Sequence, residues 1–513
     1  MKRRYLFTAA LMPAAVASGQ VRQADDPDKP NVIVIYADDL GYGDLECFGA
    51  RNVQTPNVNA LASQGIRFTN AYSTASVSTP SRYSLLTGEY AWRRPDTDIA
   101  PGDAAMIIRP EQFTIADLFK SAGYSTAAFG KWHLGLGDKE GEQDWNAPLP
   151  AGLGDLGFDY SYIMAATGDR VPCVFIENGS VAGWDPEAPI EVSYRKPFEG
   201  EPLGRDHPEL LYNLKATPGI GHDQAIVNGI GRIGYMKGGG RALWKDENIA
   251  DSITTHATDF IKKHKDSPFF IYFATNDVHV PRFPHERFRG KNIMGLRGDA
   301  IVQFDWSVGQ LMQTLEELGL SDNTIVILTS DNGPVLDDGY MDGAIEKVNG
   351  HSPTGGLRGN KYSSFEGGAR IPAIIRWPAR IPGGRVSEAL LSQVDLLRSF
   401  AGLLGARIPA KAASDSRDCL SAWLGEDGAG RDYVIEQSNN RTLSVRTPKW
   451  KYIEASNGSP VISWAPGVES GNSPVPQLFD LEKDPSEKMN LIGSEQETAA
   501  YLANIICGER AKR

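Results

Sequence analysis

The chain has 513 residues, 41% of them hydrophobic and 23% charged, which is enough apolar material for a large buried core. Its formal net charge of −12 excludes a general nucleic-acid binder, which needs a basic footprint, and leaves any anionic ligand to a local cationic site. Four cysteines (Cys47, Cys173, Cys419 and Cys507) are too few for a disulfide scaffold and lack zinc-site spacing, so buried free thiols are expected.

The chain begins "MKRRYLFTAALMPAAVASGQ", with basic residues, an apolar stretch interrupted by Pro13, and then small residues. That pattern predicts a secretory signal peptide over residues 1–19, cleaved after Ala17 or Gly19, and not a spanning helix. No cysteine follows the apolar stretch to carry a lipid, and no later segment reaches ~18 unbroken apolar residues. The mature protein is therefore expected to be exported, periplasmic or secreted, without a membrane anchor.

"KPNVIVIYADD" reads as a fully buried strand ending in Asp38 and Asp39, followed by a helical pattern in "TPNVNALASQGI". In "SVSTPSRYSLLTG", Thr79 is expected to cap a helix with Pro80 at its first position, which sets Ser78 and Arg82 around a helix start. A helix in "FTIADLFKSAG" leads to the strand "GYSTAAFGKWH", after which Lys131 and His133 alternate. Residues 134–245 are rich in Gly, Pro and Asp and read as long excursions from a sheet. "PFFIYFATNDVH" is a further strand ending near His279, and "GDAIVQFDWSVGQLMQTLEELGL" is a long helix. "NTIVILTSDNG" delivers Asp331 and Asn332 at a strand end, and Lys361 lies in "LRGNKYSSFEGGARIP" just before the strand "RIPAIIRWP". Apolar strands alternating with amphipathic helices predict an α/β domain over 20–403, a large mostly parallel or mixed sheet covered by helices on both faces. From 404 to 513 the pattern becomes short strands, "DYVIEQ", "RTLSVRT", "WKYIEA" and "PQLFDL", closed by a helix in "ETAAYLANIICGERAKR". This predicts a smaller antiparallel α+β subdomain.

In open α/β sheets ligands sit beyond the carboxyl ends of strands, so Asp38, Asp39, Asp331 and Asn332 can meet at one point. Three carboxylates there need a cation, and an all-oxygen donor set selects a hard one, calcium before magnesium. Arg82, Lys131, Lys361, His133 and His279 would surround a hydroxyl residue, Ser78, at the positive end of a helix. Such a site suits a tetrahedral oxyanion ester. On the residues alone, sulfate and phosphate stand level.

The chain resembles the formylglycine-dependent sulfatases of the alkaline-phosphatase-like superfamily. "SVSTPSRYSLLTG" is similar to the family's activation signature and "GYSTAAFGKWHLG" to its second signature, while "ADD", "HVP", "TSDNG", "LRGNKYSSFEGGARIP" and "QLFDLEKDPSEKMNL" follow in the family's order. The resemblance implies that Asp38, Asp39, Asp331 and Asn332, with Ser78, hold Ca2+. It implies that Ser78 is converted to formylglycine by a maturation enzyme and serves as the nucleophile. Arg82, Lys131 and Lys361 would stabilise the sulfate, His279 would protonate the leaving oxygen, and His133 would take a proton from the second hydroxyl of the hydrate. Most relatives carry cysteine where Ser78 stands, so an unmodified serine nucleophile in a phosphate-ester hydrolase is the alternative, and a non-catalytic glycan-binding protein a third. The expected substrate is a sulfated carbohydrate, with Asp169, Arg170, His222, Arg232 and His351 as sugar contacts.

Overall fold

The computed structural model describes residues 29–512, and the signal peptide expected at 1–19 lies outside the described residues. Runs such as Asn31–Ala37 and Thr324–Ser330 carry unbroken apolar stretches on both faces, so both faces of each strand need cover, and all seven residues of each are buried. They lie at the centre of a ten-stranded mixed sheet. Five parallel strands form its middle, in the order Thr324–Ser330, Asn31–Ala37, Phe269–Ala274, Ser125–Lys131 and Tyr160–Met164. On one flank Ala373–Arg376 runs antiparallel to Thr324–Ser330, Ile66–Phe68 antiparallel to it in turn, and Arg385–Ser387 lies outermost, parallel to Ile66–Phe68. On the other flank, Phe175–Glu177 and Ser180–Val181 add a hairpin.

Helices cover both faces. Phe119 of the helix Ile115–Ser121 stacks on Phe270 with ring centroids 4.3 Å apart, while Phe260 of the helix Ile249–Lys263 packs against Phe129 at 6.0 Å. Phe129 is registered with Phe273, three residues from Phe270, and alternation along a strand puts those two on opposite faces. The sheet's directionality positions the site. Ala37 is registered with Ser330, Tyr36 with Ala274, and Ala274 with Gly130, so the chain leaves four neighbouring strands at one level, immediately before the polar residues named above.

Residues 134–245 are more than excursions. They supply three strands of the large sheet and two small ribbons, Glu191–Ser193 with Tyr235–Lys237 and Ile226–Val227 with Ile230–Gly231. Strands of two to five residues are too short to leave a period of two in the sequence.

Near the C-terminus, Val434–Gln437, Leu443–Arg446, Trp450–Ile453 and Gln477–Asp480 form a four-stranded antiparallel sheet. Leu502 and Ile506 of the helix Gln496–Ala511 share its apolar cluster with Val445, Tyr452 and Leu478. A buried ionic group joins this sheet to the larger unit. Lys451 Nζ donates to Glu436 Oε2 at 2.5 Å and to Glu366 Oε1 at 3.2 Å, and Tyr72 donates to Glu366 Oε2 at 2.6 Å. Among the described residues the cysteines are free. Cys173 and Cys419 are buried as expected, but Cys47 is only half-buried and Cys507 is exposed on the closing helix.

Candidate active site

The helix Ser78–Thr87 follows Val77, which takes the N-cap position in extended conformation, and ends at Gly88 with φ 68°, the left-handed geometry glycine tolerates. Thr79 is therefore not the cap. Its hydroxyl instead donates to the His133 carbonyl at 3.2 Å and accepts from the Ala100 N–H at 3.2 Å, tying three active-site segments together. Ser78 takes the first helical position, where unpaired N–H groups concentrate positive charge. All ten residues of this helix are buried, Arg82 included.

The strand ends converge as expected. Lys131 Nζ donates to Asp38 Oδ1 at 2.7 Å and to Ser78 Oγ at 2.8 Å. Ser78 Oγ lies 3.4 Å from both Asp38 Oδ1 and Asn332 Oδ1. Asp39 sits at φ 56°, a sharp turn that aims its N–H at Asp331 Oδ1, 3.2 Å away. Asn332 Nδ2 donates to Asp39 Oδ1 at 2.8 Å. The Arg82 guanidinium donates Nε and Nη2 to Asp331 Oδ2 at 3.1 and 2.7 Å and lies over the Tyr36 ring. Lys361 Nζ donates to Asp39 Oδ2 at 2.9 Å and to Asp338 Oδ2 at 3.0 Å. His279 Nε2 is 3.8 Å from Asp39 Oδ2, with Nδ1 2.6 Å from the Val280 carbonyl. His133 Nε2 pairs with the Ala100 carbonyl at 2.9 Å, and its buried Nδ1 has no hydrogen-bond partner.

Electrostatics divides the carboxylates. Burial pushes the Asp38 carboxyl up, against the pull of His279 and Lys131. Burial also acts on Asp331, but Arg82 and then Lys131 outweigh it and hold that carboxyl far below the usual range. Burial and the neighbouring Lys131 depress His133 well below an ordinary histidine, so it stands neutral at neutral pH. For Lys361, the carboxylates of Asp338 and Asp39 overcome burial and raise it, so it stays a cation.

The residues fit a hard divalent cation. Asp38, Asp39 and His279 offer ligand atoms within 4.8 Å of one another, and Asp38 Oδ2 is buried with no hydrogen-bond partner. With Asp331 and the Asn332 carbonyl oxygen alongside, the donors are mostly oxygens, as such an ion requires.

Ser78 opens onto a cavity of about 200 Å³ that His133, His279 and Lys361 also line. Asp169, Arg170 and His222 form part of its wall, joined by an ion pair of 3.1 Å from Arg170 Nη1 to Asp169 Oδ2 and a 3.1 Å contact from His222 Nε2 to the same oxygen. Arg232 and His351 lie outside the lining. Arg232 is fully buried, donating to the Gly168 carbonyl at 2.6 Å and to Asp246 at 2.7 Å. His351 packs Nε2 against Asp44 Oδ1 at 2.8 Å, where Arg297 also binds. Besides aliphatic residues, the structure adds Asp338, Tyr362 and Trp464 to the lining. The first two had a signal, the acidic turn "LDDG" just beyond "SDNG" and the residue next to Lys361. Trp464 had none, because it arrives from the C-terminal part of the chain.

A family model described as Sulfatase matches residues 30–406. The chain belongs to the sulfatase family. It is accordingly a sulfuric ester hydrolase, which decides against the phosphate-ester and non-catalytic readings. This sulfatase is 50% identical over 497 residues to an N-acetylgalactosamine-6-O-sulfatase of Bacteroides thetaiotaomicron, covering 97% of this chain and 96% of the relative. It is 31% identical to human arylsulfatase A, covering 90% of this chain and 83% of that one. Among solved structures, one from Bacteroides thetaiotaomicron, from work on the metabolism of multiple glycosaminoglycans, superposes with a TM-score of 0.92 at 50% identity, covering 94% of this chain and all of that one. A phosphonate monoester hydrolase of Agrobacterium radiobacter, 19% identical with a TM-score of 0.58 and covering 94% of this chain and 96% of that one, shares the fold alone.

Proposed function

We propose that this sulfatase is exported and removes the 6-O-sulfate of N-acetylgalactosamine residues in sulfated glycans. The observation that carries the reading is Ser78 Oγ at the floor of a small cavity, 2.8 Å from Lys131 Nζ and 3.4 Å from two oxygen ligands of the expected metal site. The specificity rests on likeness to the Bacteroides thetaiotaomicron enzyme and, at 29% identity, to a dog N-acetylgalactosamine-6-sulfatase. The cavity is smaller than the ~300–1,000 Å³ of sites for drug-sized ligands, which suits one terminal sugar. The catalytic unit is assigned to 20–403 and the smaller α+β subdomain to 404–513.

Calcium held by Asp38, Asp39, Asp331 and Asn332 would supply Lewis acidity and charge neutralisation beside Ser78. Two-electron oxidation of Ser78 by a formylglycine-generating maturation enzyme would give an aldehyde whose hydrated form offers one hydroxyl to attack sulfur and a second to release sulfate. Lys131 orients the oxygen on residue 78 and, with Lys361, faces the charge that develops on the sulfuryl oxygens. Arg82 acts one step back, fixing Asp331. His279 is placed to give its proton to the departing O6, and His133 takes one through Nδ1, its only ring nitrogen without a partner. Asp169, Arg170 and His222 receive the sugar hydroxyls.

A screen of position-defined sulfated monosaccharides tests the assignment. N-Acetylgalactosamine 6-sulfate should exceed its 4-sulfate isomer by more than about tenfold in kcat/KM, because buried polar groups reject a misplaced ester. Turnover of the 6-phosphate without the 6-sulfate would overturn it. Peptide mass spectrometry of natively expressed protein should find the Ser78 peptide lighter by two hydrogens. Full sulfatase turnover by a wholly unmodified Ser78 protein would refute the oxidation.

A further inference from the structure

Trp464 is 37% exposed, yet it stands in the wall of the catalytic cavity. Leaving a large apolar ring half in water forfeits part of the stabilisation that burial brings, so an exposed tryptophan at a cavity mouth draws attention when its position is fixed. This one is fixed. Ile462, Ala465 and Val468, on either side of it, are buried in one apolar cluster with Val77 and Tyr362. The loop closes on itself through Ile462 N–H to the Val468 carbonyl at 2.9 Å and Ser470 N–H to the Pro460 carbonyl at 2.9 Å. It then docks through the Ser364 N–H on the Ser470 carbonyl at 2.9 Å. The indole meets Tyr362 edge-on at 5.5 Å, and the Tyr362 hydroxyl donates to Asp338, the partner of Lys361. The loop from the smaller sheet is thus built onto the segments that hold Ser78 and Lys361.

We infer that Trp464 is a specificity-determining platform on which the apolar C–H face of the sulfate-bearing sugar stacks. The inference rests on the carbohydrate reading given above. Pyranoses have one apolar C–H patch and a rim of hydroxyls, and the cavity offers a matching pair of surfaces. Trp464 and Tyr362 are aromatic, while Asp169, Arg170 and His222 are polar. Because its loop is ordered by its own apolar cluster, the indole needs no reorganisation to bind. The platform selects the alcohol portion of the ester and makes no demand on the sulfate, which belongs with Lys131 and Lys361.

The test pairs Trp464→Ala with Trp464→Phe, using the sulfated monosaccharide that the wild-type enzyme turns over best and inorganic sulfate as a competitive inhibitor. Trp464→Ala should raise KM for the sugar sulfate by about tenfold, with kcat changed far less, and Trp464→Phe should recover most of the loss. The inhibition constant of inorganic sulfate should stay at the wild-type value in both variants. An unchanged KM in Trp464→Ala, or equal weakening of sugar sulfate and inorganic sulfate, overturns the platform while leaving the carbohydrate reading intact. Wild-type enzyme that hydrolyses aryl sulfates but no sugar sulfate overturns both.

Discussion

Lys131→Met removes one charge while keeping nearly the same length and volume, and it isolates what that ammonium does for Ser78. Lys131 Nζ is fully buried and donates to Ser78 Oγ at 2.8 Å and Asp38 Oδ1 at 2.7 Å. At an effective dielectric of ~20, a unit charge that close to a negative oxygen interacts by about 6 kcal/mol. Much of that offsets the cost of burying the ions, because burial alone already lowers the affinity of Lys131 for its proton. The portion that acts only in the transition state is comparable to a lost oxyanion donor, roughly 2.7–4 kcal/mol or 10²–10³ in kcat. Steady-state kinetics on the sugar sulfate should show that fall in kcat with a much smaller change in KM. Circular dichroism and thermal melting must show a folded variant. A folded Lys131→Met enzyme with kcat within about threefold of wild type, under 1 kcal/mol, would refute the reasoning.

If His279 protonates the leaving oxygen, His279→Ala should impair alkyl sugar sulfates far more than an activated aryl sulfate, whose phenolate leaves unaided, and equal losses would sink that role. His133 is held neutral in the folded state, so the unfolded chain binds its proton first as pH falls. Its contribution to stability is whole above about pH 6.5 and declines below it toward the depressed folded value, and His133→Gln should flatten urea-derived stability across that interval. Arg431 forms two 2.6 Å hydrogen bonds to the buried Asp395, and neither residue lines the cavity, so Arg431→Met should cost ~3–5 kcal/mol in a chemical denaturation curve while sparing the KM of whatever enzyme stays folded.

The central sheet was legible because its core strands carry apolar stretches followed within a few residues by charged or amide residues. That pattern alone brings Asp38, Asp39, Asp331 and Asn332 to one point, where the structure also has them. Lys131 and His133 were equally visible beyond "STAAFG", and Ser78 and Arg82 in their helix. The helix start was off by two positions, because Val77 takes the cap and Thr79 spends its hydroxyl on His133 and Ala100 instead of on the first turn. The five residues expected to meet a sugar divide in the structure. Asp169, Arg170 and His222 reach the cavity, but Arg232 and His351 are spent on a backbone carbonyl and on carboxylates, a distinction that nothing in residue type reveals. Trp464 could not have been found, since its approach depends on how the small sheet docks through Lys451 and Glu366.

The burial of the helix Ser78–Thr87 also imposes an order in time. With Ser78 only 4% exposed beneath a cavity of about 200 Å³, the folded protein leaves little of residue 78 for a second protein to reach. Any enzyme that modifies this side chain must therefore meet the chain before the sheet closes. Under the proposed oxidation of Ser78, folding would then act as a one-way seal: a polypeptide that folded first would keep its serine.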